Sequence, residues 1–331
     1  MTQQDLTACV RLAIIGIALL APSLFGRGTL AAQSKDKIAG EFREQIVQVR
    51  SEDDIADTGV LFAPPKKDAK AIAVIWIHGW GVNFYSPTYV GISRALAKRG
   101  YTTIAGNTRM HDLGNVEAWR GEKRIRGGGY WGVPSEEAKD LAAWVDFAQR
   151  LGFGRVVLVG HSAGATAVQT YQARTQDARV VGVVLASGNV RADTRVPPPE
   201  LLAQAKQMIA DGRREDLLEG PFVSAATFMD IVNTPAEFKD FFGIRTPNPG
   251  VTRIHCPLLA FFGTSADVGG EQDLELLKSS IKRQSSGPSR VNTAMIQGAN
   301  HMYAEKEEQV ADTIANWADE LLSAETGKGK S

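Results

Sequence analysis

A serine becomes a useful nucleophile when a base takes its proton and a carboxylate holds that base. Amide donors must also await the charge that forms on the attacked carbonyl oxygen. The run Gly160-His161-Ser162-Ala163-Gly164 offers the first of these groups. A bare Gly-x-Ser-x-Gly is weak in a chain with 33 glycines, so its setting has to carry the meaning. Arg155 to Val159, directly before it, has the continuous apolar character of a buried strand, and Ala163 to Arg174, directly after it, suits a helix. A serine between them must occupy a tight, strained turn. Glycines two residues to either side let strand and helix approach each other. The turn raises the Ser162 hydroxyl above the carboxyl edge of a sheet, where open α/β sheets bind ligands.

The chain has 5 histidines. His161 lies inside the turn and should point away from the hydroxyl. His78 ends an apolar strand, His111 lies in a loop and His255 just precedes a strand. His301, in Gln297-Gly298-Ala299-Asn300-His301, follows the last strand at the same edge as Ser162 and is the candidate base. Asp267, after the strand ending at Phe262, is the candidate orienting acid, with Asp193 as the alternative. Glu271 and Asp273 instead suit the first turn of the next helix, where acids favour the positive dipole end. Two backbone N–H groups are expected for the oxyanion. One is that of Ala163, and the other is that of Trp80 in the loop His78-Gly79-Trp80-Gly81.

These residues need elements to hold them. Two short strands are expected around Phe42 to Arg50 and Gly59 to Phe62, then a buried strand at Ala71 to Ile77 and another at Tyr101 to Ala105, with a helix from Pro87 to Arg99 between the last two. Ser135 is placed as the cap of an amphipathic helix ending near Leu151. Strands at Arg155 to Val159, Val180 to Ala186, Pro257 to Phe262 and Val291 to Ile296 alternate with helices at Ala163 to Arg174, Gln272 to Lys282 and Glu305 to Leu322. That alternation predicts a mostly parallel sheet with helices on both faces. The proline-rich interval at about 188–252 is far longer than an ordinary connection of about 2–6 residues, and it suggests an inserted helical cap.

Lys plus Arg and Asp plus Glu both total 37, for a formal net charge of zero. This gives no support to nucleic acid as a partner. Residues 1–32 have the order of a secretory signal peptide: Arg11, an apolar run from Leu12 to Phe25, then small residues with cleavage expected after Ala31 or Ala32. The protein is then exported, periplasmic or secreted, with no stable membrane association. An uncleaved N-terminal membrane anchor is the alternative, since Leu30 fits poorly at one of the cleavage positions. Removing Cys9 with the leader would leave Cys256 without an intrachain partner. The folded domain is expected at 40–325.

The elbow at Ser162, His78-Gly79 after an early strand, Asp267 and His301, in that order, resemble the α/β-hydrolase superfamily. The resemblance implies an α/β-hydrolase fold, with a mostly parallel eight-stranded sheet and the site at its carboxyl edge. The cap and Trp144-Val145-Asp146-Phe147 are similar to the branch that contains siderophore-ester hydrolases. A serine rather than an aspartate nucleophile points away from epoxide hydrolases and haloalkane dehalogenases.

The expected chemistry is cleavage of a small-molecule carboxylic ester, lactone or thioester through an acyl-enzyme, without cofactor or metal. An amidase or peptidase on the same scaffold, and a non-catalytic binding protein, are the rival readings. Phe84, Tyr85, Arg109, Tyr130 and Trp131 are candidate substrate contacts, the last two in the glycine-rich stretch Gly127 to Trp131.

Overall fold

The computed structural model of the chain describes residues 43–65, 68–188, 190, 197–243 and 246–326. The expected leader, Cys9 and Asp193 lie outside the described residues.

Eight strands form one sheet: β1 (Arg43–Arg50), β2 (Ala56–Ala63), β3 (Ala73–Ile77), β4 (Thr102–Gly106), then β7 (Val156–His161), β8 (Val180–Ala186), β9 (Leu258–Gly263) and β10 (Val291–Ile296). Their spatial order is β1-β2-β4-β3-β7-β8-β9-β10. β1 and β2 pair antiparallel, as do β2 and β4, and the other pairings are parallel. The remaining two strands, β5 (Asn115–Arg120) and β6 (Lys123–Gly127), form a separate antiparallel hairpin.

The strand β3 explains the layers. Successive side chains of a strand point to opposite faces. Ala73, Ile75 and Ile77 enter one core with Leu141, Val145, Val168 and Leu277, which come from α2 (Glu137–Arg150), α3 (Ala163–Thr175) and α7 (Glu271–Lys282). Val74 and Trp76 enter the other with Ile92, Leu96, Ile314 and Ala318, from α1 (Pro87–Lys98) and α8 (Glu307–Thr326). All five residues of β3 are buried, which is why its sequence is a continuous apolar run rather than an alternating one.

Between β8 and β9 the chain inserts α4 (Pro199–Ala210), α5 (Ala225–Asn233) and α6 (Ala236–Lys239), followed by a single 3-10 turn at Gly250–Arg253. Ala205, Met208, Leu218, Val223, Ala225 and Phe228 give this insert a small core of its own. Ser224 caps α5 by accepting from the Thr227 N–H.

One local expectation changes. The structure forms a 3-10 turn at Pro134–Glu136 ahead of α2, and Ser135 makes no cap there. Its N–H and hydroxyl instead donate to Asp230 of α5, at 2.9 and 2.5 Å, so it ties the insert to the sheet domain. The stretch after β6 is pinned: Gly128 and Gly129 N–H groups donate to Arg109 and Asp112 carbonyls, and Tyr130 N–H to Leu113.

Candidate active site

Ser162 lies between β7 and α3 with φ 55° and ψ −119°, a conformation that costs an L-residue energy and persists only where packing enforces it. The flanking glycines show the enforcement. A Cβ on Gly160 would come within 2.1 Å of the Gly164 carbonyl oxygen, and one on Gly164 within 2.3 Å of the His78 carbonyl oxygen. The turn therefore closes only with both glycines present.

His301 Nε2 lies 3.2 Å from Ser162 Oγ, at the edge of hydrogen-bond reach. Burial pushes the His301 pKa below the ordinary imidazole value, and the charge of Asp267 opposes that push. The ring is consequently neutral and able to accept a proton near neutral pH. Its other nitrogen, Nδ1, is buried and has no hydrogen-bond partner among the described residues. Asp267 is exposed. Its charge reaches the imidazole, but no hydrogen bond joins them.

His161 is fully buried and points away from the hydroxyl. Its Nε2 lies 2.8 Å from the His301 carbonyl oxygen and its Nδ1 lies 2.6 Å from the Tyr89 hydroxyl. A carbonyl can only accept, so Nε2 carries the proton and Nδ1 accepts from Tyr89. The Tyr89 oxygen in turn accepts the Gly79 N–H at 3.3 Å. Burial lowers the His161 pKa to about 3, which keeps this bridge neutral. One side chain thus links the His301 loop to the loop after β3. The His301 loop has a second anchor in Tyr303, whose hydroxyl donates to the Phe261 carbonyl at 3.3 Å and lies 2.6 Å from Ser187 Oγ.

His78 has a comparable task. Its Nε2 accepts the Thr108 N–H at 3.0 Å, so its Nδ1 donates to the Gly79 carbonyl, 2.7 Å away. Burial lowers its pKa to about 4. Holding the Gly79 carbonyl fixes the peptide plane that also carries the Trp80 N–H, which in a trans peptide points the opposite way. The Trp80 amide enters none of the loop's backbone hydrogen bonds. Ala163 is the first residue of α3, where an amide has no intrahelical acceptor.

A cavity of about 490 Å³ lies beside the residues that carry these amides, and neither Ser162 nor His301 is part of its lining. Its walls include Trp80 and Ala163, Glu137 and Ala138 of α2, and Ile231 and Phe238 of the insert. Glu137 is buried, its carboxyl accepts the Thr108 hydroxyl at 2.7 Å, and burial pushes its pKa up to about 8.

The candidate substrate contacts are placed elsewhere. Phe84 and Tyr85 pack edge-to-face, and the Tyr85 hydroxyl donates to Asp112. The Tyr130 carbonyl accepts the Ser224 N–H, and Trp131 Nε1 donates to the Glu215 carbonyl; both join the insert to the domain. Arg109 is buried among Asp53, Asp140 and Glu136, at 2.9, 2.8 and 2.5 Å. Its guanidinium is committed to holding α2 on the loop after β1. None of the five lines this cavity. The residues that do line it, along one face of α3 and on the insert, were not singled out from sequence. Thr166, Ala167, Thr170 and Tyr171 carry helical spacing, the only local signal available.

The sequence pattern of the alpha/beta hydrolase family matches residues 74–313. No curated protein matches the chain. Among solved structures, the chain is similar to Est1E from Butyrivibrio proteoclasticus, at 15% identity over 84% of this chain and 99% of that one, TM-score 0.55. It is similar to an esterase from Pyrococcus furiosus at 17% identity over 86% and 91%, TM-score 0.55. It is also similar to DcsB, solved with a substrate analogue, at 15% identity over 84% and 99%, TM-score 0.62. At such identities the likeness is one of fold.

Proposed function

The chain belongs to the alpha/beta hydrolase family, and we propose that it is a serine hydrolase of carboxylic esters. The observation that carries this is the 3.2 Å approach of His301 Nε2 to a serine held in the strained turn after β7. Ser162 Oγ attacks the acyl carbon and its proton passes to His301 Nε2. The Trp80 and Ala163 amides hold the oxyanion. His301 then gives the proton to the departing alkoxide, leaving an ester on Ser162. Water attacks that ester, its proton goes to His301 and then to Ser162 Oγ, and a carboxylic acid leaves. Asp267 is the proposed orienting acid. The orphaned Nδ1 needs an acceptor in the imidazolium state, and Asp267 is the carboxylate whose charge already acts on the ring. Cleavage of the leader at residues 1–32 would place this activity outside the cytoplasm.

The test is a panel of p-nitrophenyl esters, lactones and aminoacyl anilides, run on the protein and on Ser162→Ala. Ester turnover that disappears with Ser162 is the expected result. Faster turnover of the anilides would make it an amidase, and turnover that survives the substitution would remove Ser162 from the mechanism.

A further inference from the structure

The cavity follows α3 for its whole length, and that course restricts the acyl group it fits. Ala163, Thr166, Ala167, Thr170, Tyr171 and Arg174 line it, at steps of three and four residues that form one stripe of a helix. From Ala163 to Arg174 the stripe runs about 16 Å at about 1.5 Å per residue. Because helical side chains lean back toward the helix N-terminus, the Arg174 head group stands nearer the amides than its Cα does, within reach of an extended medium-chain acyl group. The Trp80 and Ala163 amides stand at one end. Ala138, Ile231, Phe238 and Phe241 wall the space with apolar surface.

The far end is cationic. Arg174, in the last turn of α3, and Lys239, at the end of α6, both line the cavity. Neither has a carboxylate partner among the described residues: Lys239 Nζ donates to the Val232 carbonyl at 2.7 Å, and the Arg174 guanidinium lies over the Phe238 ring, 4.6 Å from its centroid. Arg253, which also faces Phe238, shows the contrast, because Glu237 holds it at 3.2 Å. The cavity's acids do not offset the pair. Asp230 accepts both donors of Ser135, and Glu137 belongs to the end near His78, held by Thr108.

Resting on the reading of Ser162 as nucleophile, we propose that the preferred acyl group is a medium-length chain ending in a carboxylate, as in a half-ester of a dicarboxylic acid. The ester carbonyl sits at the Trp80 and Ala163 amides, the methylenes cover the apolar walls, and Arg174 and Lys239 hold the terminal anion by charge-assisted hydrogen bonds. An uncharged chain of the same length gains the same burial but leaves both cations unmatched.

The test compares p-nitrophenyl hydrogen sebacate with the same ester carrying a primary amide in place of its free carboxylate. The expected kcat/KM ratio favours the acid by about tenfold, the discrimination of one charge-assisted contact, and lies mainly in KM. In Arg174→Gln/Lys239→Gln the ratio falls to about one, and Arg174→Glu reverses it. Using the ratio within each variant cancels any general loss of activity. A wild-type ratio of one or below, or a ratio unmoved in the double variant, overturns the proposal. If neither ester turns over while other p-nitrophenyl esters do, the proposal is overturned; if no ester of any kind turns over, the serine reading has failed by itself. Calorimetry on Ser162→Ala then decides the pocket: monomethyl sebacate binding more tightly than its terminal amide supports it, and equal binding overturns it.

Discussion

The two sides of His301 are built differently. Toward Ser162 everything is over-determined: Gly160 and Gly164 close the turn, His161 bridges Tyr89 to the His301 carbonyl, and His78 holds the Gly79 carbonyl. Toward Asp267 the backbone is tied, with the Ala266 N–H donating to the Gly263 carbonyl and Val268 packed on the core, but the carboxylate is not. The Thr264 and Ser265 N–H groups donate to the Ile296 and Ala299 carbonyls, and the Gly298 N–H donates to the Thr264 hydroxyl at 2.8 Å. The carboxylate itself is exposed and unbonded to the imidazole. The proposed nucleophile, base and oxyanion donors are thus positioned by the packed ends of buried strands. The proposed orienting acid acts from a loop, through its field. Preorganisation of the proposed attack step is a property of the core, whereas support of the imidazolium is left to a surface segment.

This contrast can be broken in graded ways. Ser162→Ala should cost at least about 10⁴-fold in kcat, read as p-nitrophenyl ester turnover. Asp267→Asn should cost about 10³-fold, and it carries a pH signature. The Asp267 charge raises the His301 pKa against the lowering by burial. Removing it lets burial act alone, so the acid limb of kcat/KM moves to lower pH. A limb that stays in place, with the rate unchanged, would transfer the acid role elsewhere, and Asp193 would be the next substitution to make.

His161→Phe removes the donor to the His301 carbonyl but touches no reacting atom. Turnover should fall about tenfold, the worth of one buried hydrogen bond, with KM little changed. A loss as large as that of Ser162→Ala would mean that His161 takes part in the chemistry itself.

The last effect concerns stability. Glu137 titrates at about 8 in the fold against 4.5 when unperturbed. Between those values the folded chain holds a proton that the unfolded chain has released, so stability declines as pH rises from about 4.5 to about 8. Glu137→Gln should flatten the corresponding stretch of the Tm-against-pH curve. An unchanged slope would show that Glu137 does not titrate as its burial implies.

The well-tied side was also the legible one. The apolar run of β3, the elbow at Ser162 and the placing of His301 just after the last strand are local patterns, and local physics dictates the strands and tight turns they describe. What escaped depends on partners far apart in sequence. Arg109 looks like an edge residue until α2 delivers Asp140 and the loop after β1 delivers Asp53. The hairpin β5–β6 escaped because Lys123, Arg124 and Arg126 mask its alternation with charge. The cavity stripe of α3 consists of small and polar residues, which declare nothing until the insert faces them. His161 was rightly turned away from the hydroxyl, but its bridge needed Tyr89, 72 residues earlier.

The most direct measurement is covalent. After treatment with a fluorophosphonate, intact-mass spectrometry should show one added phosphonyl group, and peptide mapping should place it on Ser162, with none in Ser162→Ala. Absence of the adduct, or its persistence in Ser162→Ala, would contradict the assignment of Ser162 as the nucleophile.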